Sequence, residues 1–417
     1  MSEWKETDIG QIPKKWKLGT VDDIKNPDKK SIISGPFGSN ISAKYFVETG
    51  VPVIRGNNLS LSVSERFKDE GFVYITEEKA KELNTWATIE DIVFTAVGTI
   101  GQVGLITKGL KYSNYIISNK QLRLRVDTTK VLPIFAYYWF SSPFMVEQII
   151  QRNTGSSVPL INLSVLKSLQ IPIPPLEEQQ AIASVFSSLD DKIDLLHRQN
   201  QTLEQMAETL FRQWFVEEAD EGWESLILED LCEIRNGYAF KSKDYKESGH
   251  VIVRTKDFDN GYVSITDPVF LDEDLTSNYD KFQLSRKELL LVMVGASLGK
   301  TVIVTGDILP ALQNQNMWAF KAHNELHQYY LNYVAKELVR ENLYIASGSA
   351  RSFFQKGSFY KFPISLPPEE LLLEANKHFE QCFKKIELNR SQIRTLTALR
   401  DTLLPKLMSG EVRVETN

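Results

Sequence analysis

Residues 289–301, LLLVMVGASLGKT, place Gly295 and Gly299 just before Lys300 and Thr301, a combination that could cradle a phosphate. A P-loop needs four residues between its glycines, because successive backbone N–H groups must wrap the phosphates. Only three residues separate the glycines here, and the TVIVT segment that follows favours a strand. A phosphate site would instead require a helix N-terminus at that point. We therefore predict a glycine turn between two strands and no ATP site.

Other catalytic patterns are missing from the sequence. There is no Asn-Pro-Pro-aromatic motif for an adenine methyltransferase and no G-x-G-x-x-G motif opening a helix. The nuclease-like string Asp190-Asp191-Lys192 falls in a predicted coiled coil, where solvated helix charges are the better account. Two cysteines and five scattered histidines suit neither a disulfide scaffold nor a structural zinc site. The low cysteine count fits a reducing cytoplasm, where we expect the chain to be.

The charge distribution is uneven. The 417 residues carry a net charge of −6, which by itself argues against a nucleic-acid partner. However, the stretches 102–125, 148–176 and 342–368 contain no acidic residue and do contain lysine or arginine. They could form a local basic surface on an acidic body. The start of the chain is polar, and no apolar run reaches the roughly 18 residues of a membrane span, so we expect no membrane partner.

The sequence contains one long internal repeat. DIVFTAVGTIGQVGLI in the first half corresponds to ELLLVMVGASLGKTVIV in the second, and the first copy lacks the lysine. Gly348 follows Gly155 by 193 positions, and Pro367-Pro368 follow Pro174-Pro175 by the same number. The order of motifs is kept throughout, which predicts a duplicated unit of roughly 200 residues rather than a short-period solenoid.

Each copy has two parts. Short apolar runs such as VPVIR, DIVFTAV and LRLRV predict strands, while IFAYYWFSSPFMVEQIIQ and HQYYLNYVAKELVRENLY predict helices. A long helix follows the paired prolines, with Glu177 and Glu178 in its first turn. We therefore predict an α+β chain with domains at 1–174 and 217–366, and helical regions at 175–216 and 367–417.

Apolar residues recur at heptad spacing in both long helices, which predicts a coiled coil of about 50 Å within the chain. Asn200 in the seam would fix the register at a cost in stability. An ordinary amphipathic helix on a globular core is the alternative. The seam positions are Ile182, Phe186, Leu189, Ile193, Leu196, Asn200, Leu203, Ala207, Leu210, Trp214, Phe379, Ile386, Ile393, Leu396, Leu403 and Leu407.

Several of these motifs resemble the specificity subunit of type I restriction–modification systems. They are TDIGQIPKKWKLGTVDDI, VIRGNNL, the G-x-I-G turn, IPIPPLEEQQAIASVF, LFRQWF and LLPKLMSGEVRV. The resemblance covers essentially the whole chain. The second copy, SLPPEELLLEA, keeps the prolines but has no matching glutamine.

The resemblance implies a non-catalytic subunit that binds double-stranded DNA. Two target-recognition domains would each read one half of a bipartite asymmetric site. Two antiparallel helices would set the unread spacer and dock two methyltransferase subunits, with two restriction–translocase subunits completing the complex. S-adenosylmethionine, ATP and magnesium would belong to those partners.

Candidate DNA contacts follow from the chemistry of base edges and phosphates. Arginine and lysine suit guanine, and asparagine and glutamine suit adenine, while glycine turns let the backbone approach phosphate. The first-domain candidates are Arg55, Asn57, Asn58, Thr99, Asn119, Lys120, Gln121, Arg123, Ser156 and Ser157. The second-domain candidates are Tyr238, Lys241, Arg254, Lys256, Ser297, Lys300, Gln313, Asn314, Gln315, Ser349 and Arg351. Arg55 and Arg254 occupy matched places, so an equivalent structural role in both copies is the alternative for them.

Two other functions stay open at this point. The chain could serve a methyltransferase-only system or a fused nuclease–methyltransferase. It could also be a scaffold that binds proteins across a coiled coil, which would agree with the acidic net charge.

Overall fold

A computed structural model of the protein describes residues 3–346 and 354–414. The chain divides into a first unit, residues 1–194 with 394–417, and a second unit, residues 195–393. Each unit thus joins one α+β segment to one half of each long helix. The four-segment division of the sequence stays a prediction, because these units cut both helices.

The first unit is built from small sheets packed with short helices. Its strands are β1 (Trp4–Thr7), β2 (Gly10–Pro13), β3 (Lys17–Thr20), β4 (Ile32–Ser34), β5 (Val51–Ile54), β6 (Val73–Ile75), β7 (Trp86–Thr88), β8 (Ile92–Thr95), β9 (Val103–Leu105), β10 (Asn114–Ile117), β11 (Gln121–Leu124) and β12 (Gln170–Ile173). Its helices are α1 (Val21–Ile24), α2 (Glu77–Leu83), α3 (Pro133–Phe140), α4 (Pro143–Gln151), α5 (Leu163–Ser168) and the first half of α6 (Leu176–Arg212). The strand orders are β4-β11-β8-β9 and β6-β5-β10-β7, with the pairs β1-β2 and β3-β12.

The second unit repeats this arrangement. Its strands are β13 (Glu224–Ile227), β14 (Cys232–Asn236), β15 (His250–Val253), β16 (Phe258–Asp259), β17 (Tyr262–Val263), β18 (Phe270–Leu271), β19 (Leu289–Val292), β20 (Thr301–Ile303), β21 (Ala311–Gln313), β22 (Met317–Ala322) and β23 (Pro363–Leu366). Its helices are α7 (Leu228–Leu231), α8 (Glu273–Thr276), α9 (Gln328–Ala346), α10 (Lys356–Tyr360) and the first half of α11 (Glu369–Ser409). The strand orders are β14-β22-β19-β20-β17-β16 and β18-β15-β21, with the pair β13-β23.

The two units share their sheet topology. The order β4-β11-β8-β9 corresponds to β14-β22-β19-β20, and β6-β5-β10 corresponds to β18-β15-β21. The β5–β10 and β15–β21 pairs are both parallel, whereas the neighbouring pairs are antiparallel. The predicted duplication and the α+β class are confirmed.

The P-loop-like segment is a glycine turn. Strands β19 and β20 are antiparallel, with Leu289 opposite Ile303, and the turn between them contains Gly295 and Gly299. Their φ angles of 91° and 83° lie in the left-handed region that favours glycine. No helix begins after Gly299, so the backbone N–H groups do not converge on an anion as a P-loop requires.

The long helices pair antiparallel within each unit. In the first unit, Arg400 on α11 donates from Nη1 to Asp190 Oδ1 on α6 at 3.3 Å. In the second unit, Asn389 on α11 donates from Nδ2 to Asn200 Oδ1 on α6 at 2.9 Å. In the first unit Glu178 of α6 also pairs with Arg413, which follows α11, at 3.0 Å. In the second unit Trp214, just after α6, also packs on His378 of α11 at a ring distance of 5.6 Å. Within each unit, later positions of α6 therefore meet earlier positions of α11, which confirms the predicted intramolecular coiled coil.

The predicted heptad positions are shielded from solvent. None of the predicted seam residues is exposed. The buried ones are Ile182, Phe186, Ile193, Leu196, Asn200, Ala207, Phe379, Ile386 and Leu407. The half-buried ones are Leu189, Leu203, Leu210, Trp214, Ile393, Leu396 and Leu403.

The first turn of α6 is tied to residues from elsewhere in the first unit. In the first unit the Trp16 indole N–H donates to Glu178 at 3.0 Å, and Arg413 pairs with the same carboxylate at 3.0 Å. The Gln179 amide binds the backbone of Leu132, Lys130 and Pro174 at 2.9 Å each. These bonds explain why a buried glutamate and glutamine follow the prolines of the first copy.

Across residues 3–346 and 354–414, no helix is both long enough and apolar enough to span a membrane.

Candidate nucleic-acid interface

Two glycines bring separate loops into backbone contact at matched places. A Cβ atom on Gly35 would lie 1.8 Å from the Ser118 carbonyl oxygen, and one on Gly237 would lie 1.8 Å from that of Asn314. Any side chain at these positions would force the loops apart, so only glycine fits. The short turns after β10 and β21 are therefore held against the ends of β4 and β14.

In the first unit these contacts gather three turns, which we call the first edge: residues 98–101, 118–120 and 153–160. Ala96 N donates to Lys120 O at 2.7 Å, and Gly98 N donates to Pro159 O at 2.9 Å. Ile161 N then donates to Ala96 O at 2.9 Å. The loops are thus fixed through their backbones, which leaves their side chains available for other partners.

The second unit uses the same bonds to build the second edge, residues 295–299 and 314–316. Met293 N donates to Asn316 O at 3.2 Å, and Phe354 N donates to Met293 O at 3.3 Å. Phe354 follows Ile161 by 193 positions, so the repeat preserves individual backbone hydrogen bonds. Ser349 and Arg351, in the segment that matches Ser156 and Ser157, lie outside the described residues.

The first edge encloses a cleft of about 550 Å³, and no acidic residue lines it. The structure brings most of the first-domain candidates to its wall: Arg55, Asn57, Thr99, Asn119, Lys120 and Gln121. Asn57, Thr99, Asn119 and Lys120 are exposed, as are Ser156 and Ser157 on the adjacent loop. Amide, hydroxyl and ammonium groups around an acid-free cleft are suited to base edges and phosphates.

Other candidates are part of the scaffold. Asn58 is fully buried, accepts from Arg55 N at 2.9 Å, and donates to the carbonyls of Lys68 and Glu70 at 3.1 and 2.8 Å. In the second unit Asp257 takes this place and accepts from Arg254 N at 2.7 Å. The side-chain hydrogen-bonding groups of Asn58 are occupied within the turn, so it is not placed to read bases.

Arg55 and Arg254 also brace this turn in both units. Arg55 donates to Gly71 O at 3.2 Å, and Arg254 donates to Asp267 O. These equivalent contacts support the structural alternative for both arginines.

Three further candidates point into the interior. Arg123 is 2 % exposed, pairs with Asp91 at 3.3 Å and donates to the Lys30 carbonyl. Gln121 and Gln313 are both fully buried. Gln313 binds Arg235 through both its amide oxygen and its amide nitrogen, at 3.0 and 3.1 Å. These residues were predicted as base contacts from their residue types. The sequence does not show that both faces of β11, and of the end of β21, are covered by other parts of the unit.

The candidates of the second unit differ in their exposure. Gln315, Lys241 and Lys300 are exposed, and Asn314 and Ser297 are half-buried. The Asn314 carboxamide oxygen accepts from Gln315 N at 2.8 Å. These residues are placed where a DNA contact is possible.

The remaining candidates of the second edge have protein partners. Lys256 pairs with Asp267 at 2.6 Å, and this lysine lowers the pKa of the Asp267 carboxyl. Tyr238 is 38 % exposed and belongs to an aromatic cluster with Phe240, Tyr279 and Phe282, at ring distances of 5.0, 4.9 and 5.2 Å.

One exposed aromatic residue of the first edge was missed by the sequence reasoning. Phe37 is 87 % exposed in the loop Ser34–Asn40, and the Asn119 amide donates to the next residue, Gly38, at 3.5 Å. The signal was present in the sequence as a phenylalanine between a proline and a glycine, SGPFGS. Such a flanking pair predicts a loop, where phenylalanine is unusual.

The fold and these edges can now be compared with known proteins. The family described as "Type I restriction modification DNA specificity domain" matches residues 1–205 and 220–398, one match for each copy of the repeat. The chain belongs to this family. The family implies DNA recognition for the two matched regions.

The similarity extends over whole chains. The type I restriction enzyme MjaIX specificity subunit of Methanocaldococcus jannaschii is 28 % identical over 438 residues, covering 99 % of this chain and 97 % of that one. The EcoKI specificity subunit of Escherichia coli K12 is 22 % identical over 436 residues, covering 97 % and 91 %. The crystal structure of the S subunit of a type I restriction-modification system from M. genitalium matches with a TM-score of 0.57 at 18 % identity, covering 94 % and 96 %. That likeness supports the fold.

Proposed function

We propose that the chain is the non-catalytic specificity subunit of a type I restriction–modification complex in the cytoplasm. The observation that carries the proposal is the pair of edges: one backbone framework, present twice, presents different side chains at the same places. Ser118, Asn119 and Lys120 of the first edge correspond to Asn314, Gln315 and Asn316 of the second. Two readers of this kind suit a DNA site whose two halves differ in sequence.

The chemistry of the edges supports reading of duplex DNA. Asn119 and Gln315 are exposed amides that can pair with adenine through two hydrogen bonds, and Lys120 can approach guanine or phosphate. The acid-free cleft beside Asn119 lowers the electrostatic cost of bringing a phosphate backbone close. The net charge of −6 therefore does not argue against DNA binding, because the acidic residues lie away from this cleft.

The paired helices α6 and α11 support the remaining parts of the proposal. A coiled coil resists bending, so it is suited to set the length of DNA left unread between two half-sites. Its exposed apolar side chains, Leu195, Met206, Leu388 and Leu399, are 41–53 % exposed and suit protein partners. We assign docking of two methyltransferase subunits to these helices, together with two restriction–translocase subunits. S-adenosylmethionine, ATP and magnesium would be held by those partners.

The test is genome-wide mapping of N6-methyladenine in the source strain, with and without this gene. We expect one bipartite motif with two unequal halves and an unread gap to lose its methylation when the gene is deleted. A control strain carries the gene again at another locus and regains the motif. If deletion changes no motif, the specificity function is wrong for this chain, and a protein scaffold across the coiled coil becomes the better account.

A further inference from the structure

Almost the whole of the Phe37 side chain is exposed to solvent. Its exposed fraction is 87 %, the highest among the exposed large apolar residues of the part of the chain that the structure describes. Single exposed apolar residues are common on protein surfaces, so exposure alone does not indicate a site. The position and the rigidity of the loop are what distinguish this residue.

The loop that carries Phe37 is fixed at both ends. Before it, Gly35 N donates to Gln121 O at 2.9 Å, and Gly35 lies too close to Ser118 for any side chain. After it, Asn40 N donates to Phe37 O at 3.2 Å, and Gly38 has a φ of +57°. Pro36 restricts the backbone further, since its ring fixes φ. The backbone that carries the ring therefore has less freedom left to lose on binding, which favours affinity.

The surroundings of this loop indicate what it would contact. Asn119, which donates to Gly38 O, and Lys120 line the acid-free cleft of the first edge. The loop of Phe37 thus touches the first edge through the backbone of Gly38, next to a cleft whose wall offers an amide and an ammonium group. A DNA duplex held at that cleft would meet base-edge and phosphate partners there and an aromatic ring on the adjoining loop. Aromatic and other apolar side chains that reach DNA stack on bases or insert between base steps.

The second edge does not present a comparable ring. The matched segment is Asn236-Gly237-Tyr238-Ala239, with alanine in the place of Phe37. Tyr238 is 38 % exposed and packs against Phe240 and Tyr279 at 5.0 and 4.9 Å. Phe37 is thus a feature of the first edge and not of the duplicated framework, as a residue that specifies one half-site should be.

We propose that Phe37 stacks on a base of the half-site read by the first edge and opens the neighbouring base step. This inference rests on the proposed function, because it requires that the first edge binds DNA. Stacking contributes apolar contact rather than charge. Its loss should lower affinity without changing the number of counterions released.

The experiment uses the full chain in complex with the methyltransferase subunits of its own system. The probe is a duplex that carries the motif mapped in the source strain, with 2-aminopurine placed in turn at each position of the first half. Phe37→Ala is expected to lower affinity about 10- to 100-fold. The slope of log affinity against log salt should stay unchanged, and Phe37→Trp should retain binding. Wild-type binding should increase 2-aminopurine fluorescence at one position, and Phe37→Ala should abolish that increase.

Ile89→Ala is the matched control. Ile89 is 39 % exposed and precedes β8, whereas the first edge follows this strand, so its replacement removes exposed apolar surface away from the edge. Unchanged thermal unfolding midpoints would show that both variants fold.

The outcomes separate the two proposals. If the wild-type complex shows no preference for the mapped duplex, the proposed function fails. If the wild type prefers that duplex and Phe37→Ala binds it equally well, the assignment of Phe37 is overturned. A loss of affinity without any 2-aminopurine signal in the wild type overturns the stacking step.

Discussion

In each unit a buried carboxylate comes just before the strand that leads into a glycine turn, Asp91 before β8 and Glu288 before β19. The two units neutralise this carboxylate differently. In the first unit Asp91 accepts from Arg125 at 2.8 Å through both oxygens and pairs with Arg123 at 3.3 Å. In the second unit Glu288 pairs with Arg235 at 2.9 Å, and its other oxygen is buried without a partner in the described structure. Burial raises the pKa of the Glu288 carboxyl.

The helix seams differ in the same way. Asp190 and Arg400 form a buried ion pair in the first unit. At the repeat offset of 193 positions, Phe383 corresponds to Asp190, and Ala207 corresponds to Arg400. In the second unit those two residues line a cavity of about 320 Å³. The repeat therefore preserves backbone hydrogen bonds and strand order, whereas the side chains of core, seam and edge have diverged. Because of this divergence, the same backbone arrangement presents different side chains in the two units.

The largest expected effect concerns the buried carboxylates. Asp91→Asn leaves Arg123 buried without a counter-charge, so we expect it to destabilise the first unit by about 3–5 kcal/mol. Glu288→Gln should cost less, about 1–2 kcal/mol, because Arg235 keeps its hydrogen bond to Gln313 and the Glu288 charge is already disfavoured. Hydrogen exchange at β8 and β19 measures the two local stabilities. Equal losses in both units would contradict the comparison.

The second effect depends on pH. Burial opposes ionisation of Glu380, but Lys287, Tyr329 and Arg286 outweigh it and lower the pKa of this carboxyl to about 2 from its ordinary 4.5. Its stabilisation, roughly 3 kcal/mol at most, is therefore complete above about pH 4.5 and lost as the pH falls toward 2.

In the first unit burial raises the pKa of Asp190, so protonation of that carboxyl favours the folded state. The pKa of Glu288 in the second unit shifts in the same direction as that of Asp190, so Glu380 is the group that sets the two units apart. The contacts of Glu380 with Lys287, Tyr329 and Arg286 should loosen first on acidification, and Glu380→Gln should flatten that pH dependence. Unfolding followed by hydrogen exchange across this pH range tests the order of the two units. Earlier loosening of the first unit would refute this account of the difference.

The third effect concerns Asn200 and Asn389, which pair between α6 and α11 in the second unit. Asn389 is fully buried and donates to Asn200 at 2.9 Å, while its own carbonyl oxygen has no partner in the described structure. Asn389→Ala should cost about 1–3 kcal/mol by leaving Asn200 buried and unpaired. Replacing both with leucine should instead stabilise the seam, because the pair specifies register rather than stability. Denaturant unfolding of Asn200→Leu, Asn389→Leu and the double leucine variant forms a cycle, and strictly additive effects would disprove the coupling.

The smallest expected effect is a difference between Lys120 and Lys256 in the salt dependence of DNA binding. Lys120 lines the acid-free cleft, whereas Lys256 is paired with Asp267. Lys120→Ala should reduce the slope of log affinity against log salt by about 0.9, one released counterion, and Lys256→Ala should change it much less. Titrations of the complex with mapped duplex DNA at several salt concentrations measure both slopes. A larger change for Lys256→Ala would contradict the assignment of Lys120 as the phosphate contact and of Lys256 as a partner of Asp267.

Periodic features of the fold were predictable from the sequence. The repeat, the glycine turn after Leu289–Val292 and the paired helices follow from spacing, because heptads and strand alternation are local patterns. For Arg55 and Arg254, predicted as DNA contacts, the structure favours the alternative that the matched positions left open, an equivalent structural role in both copies.

Burial of the candidate contacts was not predictable in the same way. LRLRV alternates as a half-exposed strand would, yet Arg123 is buried because Asp91 and the Lys30 carbonyl, distant in sequence, cover that face. Asn58 and Gln313 were chosen by residue type, and only tertiary hydrogen bonds show that their groups are already used. Phe37 was overlooked because residue-type reasoning favours polar side chains as DNA contacts.

The most direct test of the central claim is N6-methyladenine mapping in strains that carry an altered edge. One strain carries Asn119→Ala with Lys120→Ala, and the other carries Asn314→Ala with Gln315→Ala. We predict that the first pair relaxes bases in one half of the bipartite motif only, and that the second pair relaxes bases in the other half only. If both pairs alter the same half, or if neither alters the motif while methylation persists, the two edges are not the two readers.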